Sequence, residues 1–212
     1  MKNGIQDYRH LPVGKWAEIQ AVCRDEGREE LDRQVAVLSI LNDLTENEVL
    51  DLPIMDYRRK VAEASFLTTA DDAAAPRAAA RYICGPFVLV PVKDARKITT
   101  AQYIDFQEYA NTGDSAIVEA LSCLLIPQGC KYLQGYDVTE VQKAIREEMS
   151  TYDAMGLLAF FLSKSAKWLQ RSLTYSERAA NKLKKPQRET LKAKLQKIRA
   201  TLTQSAGDGS QM

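Results

Sequence analysis

Three helix-start signatures constrain the fold of this chain more than any other feature of its sequence. Each places a Thr or Asp at the N-cap and a Glu or Gln three positions later, which is the pattern of a capping box. A pair of apolar residues brackets each box at the positions of a hydrophobic staple. The boxes begin at Thr45, Thr99 and Asp137, so the sequence predicts a helix after each of these residues.

Apolar residues recur at helical spacing along most of the chain. In the second helix an apolar stripe is expected to be buried, formed by Leu31, Val35, Leu38 and Leu41. Besides a short helix after Thr45, the predicted helices cover about 15–23, 29–42, 54–67, 100–110, 115–126, 138–149, 151–173, 175–185 and 187–204.

One segment, 82–92, favours β-structure because β-branched residues alternate along it. Gly85-Pro86 lies at or near the turn of a small predicted hairpin. The Ala-rich stretch 71–80, interrupted by Pro76, is predicted to be a loop or linker. The expected fold class is therefore mainly α: a helical body with one small β-hairpin and a basic C-terminal helical extension.

Two stretches of the chain share short patterns in the same order. The heptad Val35-x-x-Leu-Ser-x-Leu41 matches Val118-x-x-Leu-Ser-x-Leu124 at four of seven positions. One interpretation is a duplicated helical unit; the other is that any two amphipathic helices share such spacing. The predicted organisation is a helical body over 1–165 (repeats 11–70 and 98–165 joined by the hairpin), a basic extension over 166–204 and a disordered tail over 205–212.

Charge is distributed very unevenly. The stretch 164–199 has twelve basic and two acidic side chains, whereas the rest of the chain has 17 basic and 26 acidic ones. Such a cationic helix with a narrow apolar seam could pack on its own body, bind a partner helix, bind nucleic acid through its phosphates or lie on an anionic membrane. The predicted partner-binding residues are Lys184, Lys185, Leu191, Lys192, Lys194, Leu195, Ile198, Arg199 and Leu202.

The residues available for chemistry are few. His10 is the one histidine, so Ser–His–Asp and Cys–His sites would have to use it, and zinc sites with two histidines are excluded. The four cysteines form no Cys-x-x-Cys pair and are expected to be buried thiols in a reducing cytoplasm. The N-terminal residues predict no secretory signal, and no apolar run reaches the roughly 18–20 residues that span a bilayer. The sequence therefore predicts no catalytic residue, no metal, no cofactor and no membrane association.

Several soft motifs resemble tail assembly chaperones of tailed bacteriophages. The first is Thr45-Glu-Asn-Glu-Val-Leu-Asp-Leu-Pro-Ile-Met-Asp-Tyr57, followed by a helix that ends at Phe66-Leu67. The later ones are the strand Phe87-Val-Leu-Val, the helix start Lys97-Ile-Thr-Thr-Ala-Gln-Tyr-Ile-Asp-Phe106, then Leu124-Leu-Ile-Pro127, Lys131-Tyr132 and Gly135-Tyr136-Asp137. The resemblance spans about 10–165 and does not cover the basic extension.

The resemblance implies a non-enzymatic protein in the host cytoplasm. Such chaperones bind the tape measure protein, keep it from aggregating while tube subunits assemble around it, and then leave. The expected partner is therefore the tape measure protein or another tail protein, with self-association as a further expectation. The alternatives are a virion structural protein, such as a head–tail connector or tail component, and a nucleic-acid-binding protein that uses the basic C-terminal helices.

Overall fold

The computed structural model divides the chain into two compact units, Met1–Phe161 and Leu162–Met212. The predicted partner-binding residues, the helices over 175–185 and 187–204 and the predicted tail lie outside the described residues. No helix within the part of the chain that is described is long and apolar enough to cross a membrane. The described residues are 5, 7–68, 77–94 and 97–164.

Helices dominate the described residues, which confirms the mainly α fold class. Two short 3₁₀ helices, Ala64–Thr68 and Asp114–Ala116, follow or precede α-helices directly. The α-helices are α1 (Val13–Arg24), α2 (Glu30–Asn42), α3 (Glu46–Leu50), α4 (Ile54–Glu63), α5 (Thr100–Thr112), α6 (Ile117–Leu124), α7 (Val138–Glu148) and α8 (151–164).

Two of the three predicted capping boxes form, at the starts of α3 and α5. The Thr45 hydroxyl accepts from the Glu48 amide at 3.2 Å, and the Glu48 carboxylate accepts from the Thr45 amide at 2.7 Å. The Thr99 box has the same reciprocal pair of bonds. Asp137 also caps its helix, but its carboxylate accepts from the amide of Thr139 at 2.8 Å. The cap at Asp137 is therefore a single hydrogen bond to the second residue of α7, so the capping box predicted at this position is wrong.

The predicted hairpin forms, and a third strand extends it. β1 (Tyr82–Cys84), β2 (Phe87–Pro91) and β3 (Leu125–Pro127) make an antiparallel sheet in the order β1-β2-β3. Gly85 has a φ of +53°, the backbone conformation that a tight two-residue hairpin turn needs and that glycine adopts without strain.

The helix predicted over 115–126 is too long, because α6 ends at Leu124 and the chain continues directly into β3. The residues across this boundary are all apolar, and such a run fits a buried helix and a buried strand equally well. Pairing with β2 decides the outcome: the Val92 amide donates to the Leu124 carbonyl at 2.9 Å.

The main hydrophobic core joins α1, α6, α7, α8 and the sheet. Two smaller clusters flank it, one around Phe106 and Phe161, whose rings meet edge-on at 4.8 Å, and one under α2 and α3. Leu31 was expected in the buried stripe of α2 but is 60% exposed in the first turn of the helix, and the stripe is buried only from Val35 onwards. Cys23, expected to be buried, is exposed near the end of α1.

The predicted duplication stays a prediction. In both matched heptads the apolar positions are buried. In both, the serine donates to the carbonyl three residues earlier, from Ser39 to Ala36 at 2.8 Å and from Ser122 to Glu119 at 2.7 Å. Serines in amphipathic helices commonly make such local bonds, so these similarities do not separate the two interpretations.

Candidate protein-interaction site

Three large apolar side chains are exposed together where α3 meets α4. Leu50 is 63% exposed, Ile54 62% and Met55 72%. We call these three residues the α3–α4 surface. The three residues lie within six positions of one another, and exposed apolar side chains that cluster mark interaction sites more often than single ones do. The cluster lies within the Thr45–Tyr57 motif that carries the chaperone resemblance.

The local sequence explains why these side chains gather outside the core. Leu52 precedes Pro53, which disfavours helical backbone at Leu52, so α3 ends and α4 begins at once. Ile54 and Met55 then stand side by side at the start of α4, and adjacent helical positions point in different directions. Met55 therefore lies off the stripe that Ile54 shares with Tyr57 and Val61, and Ile54 itself stays 62% exposed in the first turn of α4.

The inner face of α4 is held in place. Tyr57 and Val61 pack against the buried cluster of Val35, Leu38 and Val49. The Tyr57 hydroxyl also bonds the side-chain oxygen of Gln34 at 2.7 Å. The α3–α4 surface therefore lies on an anchored helix, so its exposure does not come from a detached segment.

Acidic residues flank this apolar surface along the sequence. Between positions 34 and 57 the sequence has five acidic side chains and no basic one. Glu48 has a pKa below its usual value, because its carboxylate accepts bonds from the Thr45 amide and hydroxyl. Three of the five carboxylates already pair with basic side chains, Asp43 with Lys15, Glu46 with Arg28 and Asp56 with Arg59. The negative charge left beside the apolar surface comes from Glu48 and Asp51, and it favours a partner with an apolar stripe flanked by Lys or Arg.

A groove of about 410 Å³ is lined in part by Val61, on the inner face of α4. Ile54 shares a helical stripe with Tyr57 and Val61, so the inner face of α4 runs from the α3–α4 surface towards this groove. The groove is lined by both apolar and polar side chains, the mixture that an amphipathic helix would contact. Its apolar lining comes from α1, α2, α4 and the following 3₁₀ helix: Ile19, Val37, Leu38, Val61, Ala64 and Leu67.

The buried titratable groups are held neutral. Burial raises the pKa of the Cys84 thiol to about 11 and also raises that of Cys123. Burial, together with hydrogen bonds to Cys123 and Asp105, raises the pKa of Tyr132, whose hydroxyl donates to Asp105 at 2.7 Å. Because a thiolate is the reactive form of cysteine, both buried thiols are poor nucleophiles at neutral pH.

His10 is exposed, and its ring lies 2.8 Å from the Asp7 carboxylate. Across the described ranges no group of three His, Cys, Asp or Glu side chains could hold a metal ion.

The α3–α4 surface was not among the site residues predicted from the sequence. The sequence does contain an indication of this surface, because Ile54 and Met55, directly after Pro53, put two bulky apolar residues at neighbouring helical positions. The predicted partner-binding residues all belong to 184–202, outside the described residues. The structure therefore supplies a second candidate surface in the helical body.

Known proteins provide no independent guide to this surface. The resemblance to tail assembly chaperones rests only on the motifs quoted above, so a functional proposal depends on the geometry of the chain itself. Comparison with known proteins finds no family model, no curated protein and no solved structure that matches this chain.

Proposed function

We propose that this chain is a non-enzymatic tail assembly chaperone that binds a helical segment of a tape measure protein on the α3–α4 surface. The observation that carries the proposal is the joint exposure of Leu50, Ile54 and Met55 on an anchored pair of helices. A helical client would place its apolar stripe on this surface and its flanking basic side chains near the carboxylates of Glu48 and Asp51.

The energetics suit a client that must later be released. Full burial of a Leu, Ile or Met side chain contributes about 1.5–3 kcal/mol, so these partly exposed residues would add about 1–2 kcal/mol each. Association costs on the order of 4–15 kcal/mol in lost translational and rotational freedom. The three residues together would contribute about 3–6 kcal/mol, which does not offset that cost by itself. Binding therefore needs further contacts with the client, and a complex with so small an apolar centre would be weak and reversible.

Co-expression with the tape measure protein tests this proposal. The wild-type chain is expected to keep the client in the soluble fraction and to co-purify with it. The triple variant Leu50→Ser, Ile54→Ser, Met55→Ser should lose both effects, while the control pair Ile104→Ser and Leu133→Ser, equally exposed elsewhere, should retain them. Circular dichroism confirms folding of each variant. A client that is equally soluble without this protein would refute the chaperone assignment.

A virion structural role is the main alternative. Mass spectra of purified virions distinguish the two, because a chaperone leaves the particle and a head–tail connector or tail component stays. The basic stretch 164–199 favours a third role, nucleic-acid binding, in which affinity falls steeply with added salt. Failure to bind duplex or single-stranded DNA at low salt would remove it.

A further inference from the structure

β1 is an edge strand with an outward-facing backbone. Ile83 pairs with Val88 of β2, and the Val88 carbonyl accepts from the Gln128 amide at 2.8 Å. The Val88 backbone groups therefore face the β3 side. In an antiparallel ladder, residues of a non-bonded pair direct their N–H and C=O groups away from each other. The N–H and C=O of Ile83 therefore point to the open edge.

A cleft of about 690 Å³ lies along this open edge. One wall is β1, where the Ile83 side chain is 70% exposed, and the opposite wall is 148–153. The cleft wall is anchored to the N-terminal segment, because the Tyr152 amide donates to the Tyr8 carbonyl at 3.0 Å. An exposed strand edge beside a cleft is the arrangement that accepts an extended peptide as an added strand.

Arginines give one end of the cleft a positive charge. The guanidinium groups of Arg9 and Arg77 lie over the Tyr152 ring, 5.1 and 4.1 Å from its centre. Arg77 pairs with Asp153 at 2.6 Å, so these two charges offset each other. Arg81 lines the same cleft. Neither Arg9 nor Arg81 forms an ion pair with any carboxylate of the described residues, so both remain available for a ligand.

The other end of the cleft is negative. Glu148 accepts from the Gly85 amide at 2.8 Å, next to the hairpin turn. The charge therefore changes sign along β1, from Arg81 before the strand to the Glu148 carboxylate beside Gly85 after it. A peptide strand with an acidic residue at the arginine end matches this polarity.

We propose that this cleft binds an extended acidic peptide that adds as a strand to β1. Its backbone bonds the N–H and C=O of Ile83, and its carboxylates contact Arg9 and Arg81. At about 3.3 Å per residue, three or four peptide residues match the length of β1. The site shares no residue with the α3–α4 surface, so the inference goes beyond the proposed function and does not depend on it.

Fluorescence polarisation at low ionic strength tests the site, with a labelled Glu-Val-Glu-Val-Glu-Val peptide as the probe. Arg9→Ala and Arg81→Ala should each weaken binding about two- to fivefold, whereas the exposed control Arg58→Ala should not. Ile83→Pro should weaken it about fivefold or more, because it removes the outward donor at a position where an edge strand tolerates proline. The Ile83→Val control keeps that donor and should bind normally.

A second measurement keeps the test decisive if Ile83→Pro disturbs folding. The same peptide with N-methylated backbone amides cannot pair as a strand and should lose binding to the wild-type protein. Equal binding of the methylated peptide, or of a Lys-Val-Lys-Val-Lys-Val peptide, would overturn the proposal. So would a single-stranded oligonucleotide whose binding is weakened by Arg9→Ala and Arg81→Ala but is insensitive to Ile83→Pro, because the cleft would then be a phosphate site.

Discussion

Two regions of the molecule differ in how their residues are packed: the junction between α1 and α7 is tightly closed, whereas the α3–α4 surface is open to solvent. At the junction, Gly14 is buried so closely that a Cβ there would lie 2.7 Å from the Arg146 carbonyl oxygen. The Val13 amide donates to Met149 at 2.8 Å and the Thr151 amide to the Leu11 carbonyl at 2.7 Å, which fixes the start of α1. At the α3–α4 surface, by contrast, large side chains stay in solvent. Stability and binding are thus expected to depend on different residues.

A matched pair of isoleucines provides the largest test of this difference. Ile145 on α7 is 0% exposed and Ile54 on α4 is 62% exposed. Ile145→Ala should lower the free energy of unfolding by about 2–5 kcal/mol, through lost burial and the cavity that remains. Ile54→Ala should change it by less than about 0.5 kcal/mol, as surface substitutions usually do.

Urea unfolding followed by circular dichroism measures both changes. Similar losses from the two isoleucine variants would mean that the α3–α4 surface belongs to the core, and the binding proposal would then lose its basis.

Close helix packing gives the next largest effect. Gly14→Ala should cost about 1–3 kcal/mol, because the added methyl group meets backbone and the helices must move apart. Gly27 provides the control, since a Cβ there meets only the Asp25 carboxylate, at 3.2 Å. Gly27→Ala should be near neutral. A shift in the thermal midpoint of Gly27→Ala as large as that of Gly14→Ala would contradict this account of α1 and α7.

The parts of this fold that the sequence predicted are those encoded locally. The two threonine capping boxes and the Gly85 turn depend on residues within four positions of one another, so spacing alone indicates them. β3 could not be predicted in this way, because the run from Leu124 is apolar throughout and its strand state depends on pairing with β2.

The candidate sites were harder to predict, for a related physical reason. Exposure of Leu50 depends on what packs over it, and no local pattern encodes that. The cleft beside β1 brings together Arg9, Arg81 and Glu148, which come from three distant parts of the chain. Their convergence follows from the tie between the N-terminal segment and the start of α8, which only the folded structure reveals.

The capping box at the start of α3 provides a test of the α3–α4 surface with an effect of intermediate size. Thr45→Ala should cost about 1 kcal/mol, the usual loss for an N-cap threonine, and Thr99→Ala on α5 a similar amount. Because α3 carries Leu50, Thr45→Ala should also weaken client binding, whereas Thr99→Ala should not. If both variants reduced co-purification equally, client binding would not depend on the α3–α4 surface.

The same box predicts a pH dependence for α3. The pKa of Glu48 is lowered in the folded state, so its ionised form stabilises the fold above the unfolded pKa. That contribution is lost as the pH falls through the lowered pKa, below the ordinary glutamate value of 4.5. The difference in stability between wild type and Glu48→Gln should therefore shrink on acidification. A difference that stays constant down to the acid transition would contradict the role of the charged carboxylate.

Thiol labelling perturbs the protein least, because it needs no substitution, and it compares a buried cysteine directly with an exposed one. Cys84 is buried with a pKa of about 11, so at pH 8 only about one thiol in a thousand is ionised. Cys23 is exposed and lines the groove beside α4. Iodoacetamide should therefore modify Cys23 quickly and Cys84 only slowly, as peptide mass spectrometry would show.

A bound client that reaches the groove should slow modification of Cys23 and leave Cys84 unchanged. Unaltered labelling of Cys23 in the complex would confine the client to the α3–α4 surface, because a helix seated between α1 and the 3₁₀ helix must cover that sulfur.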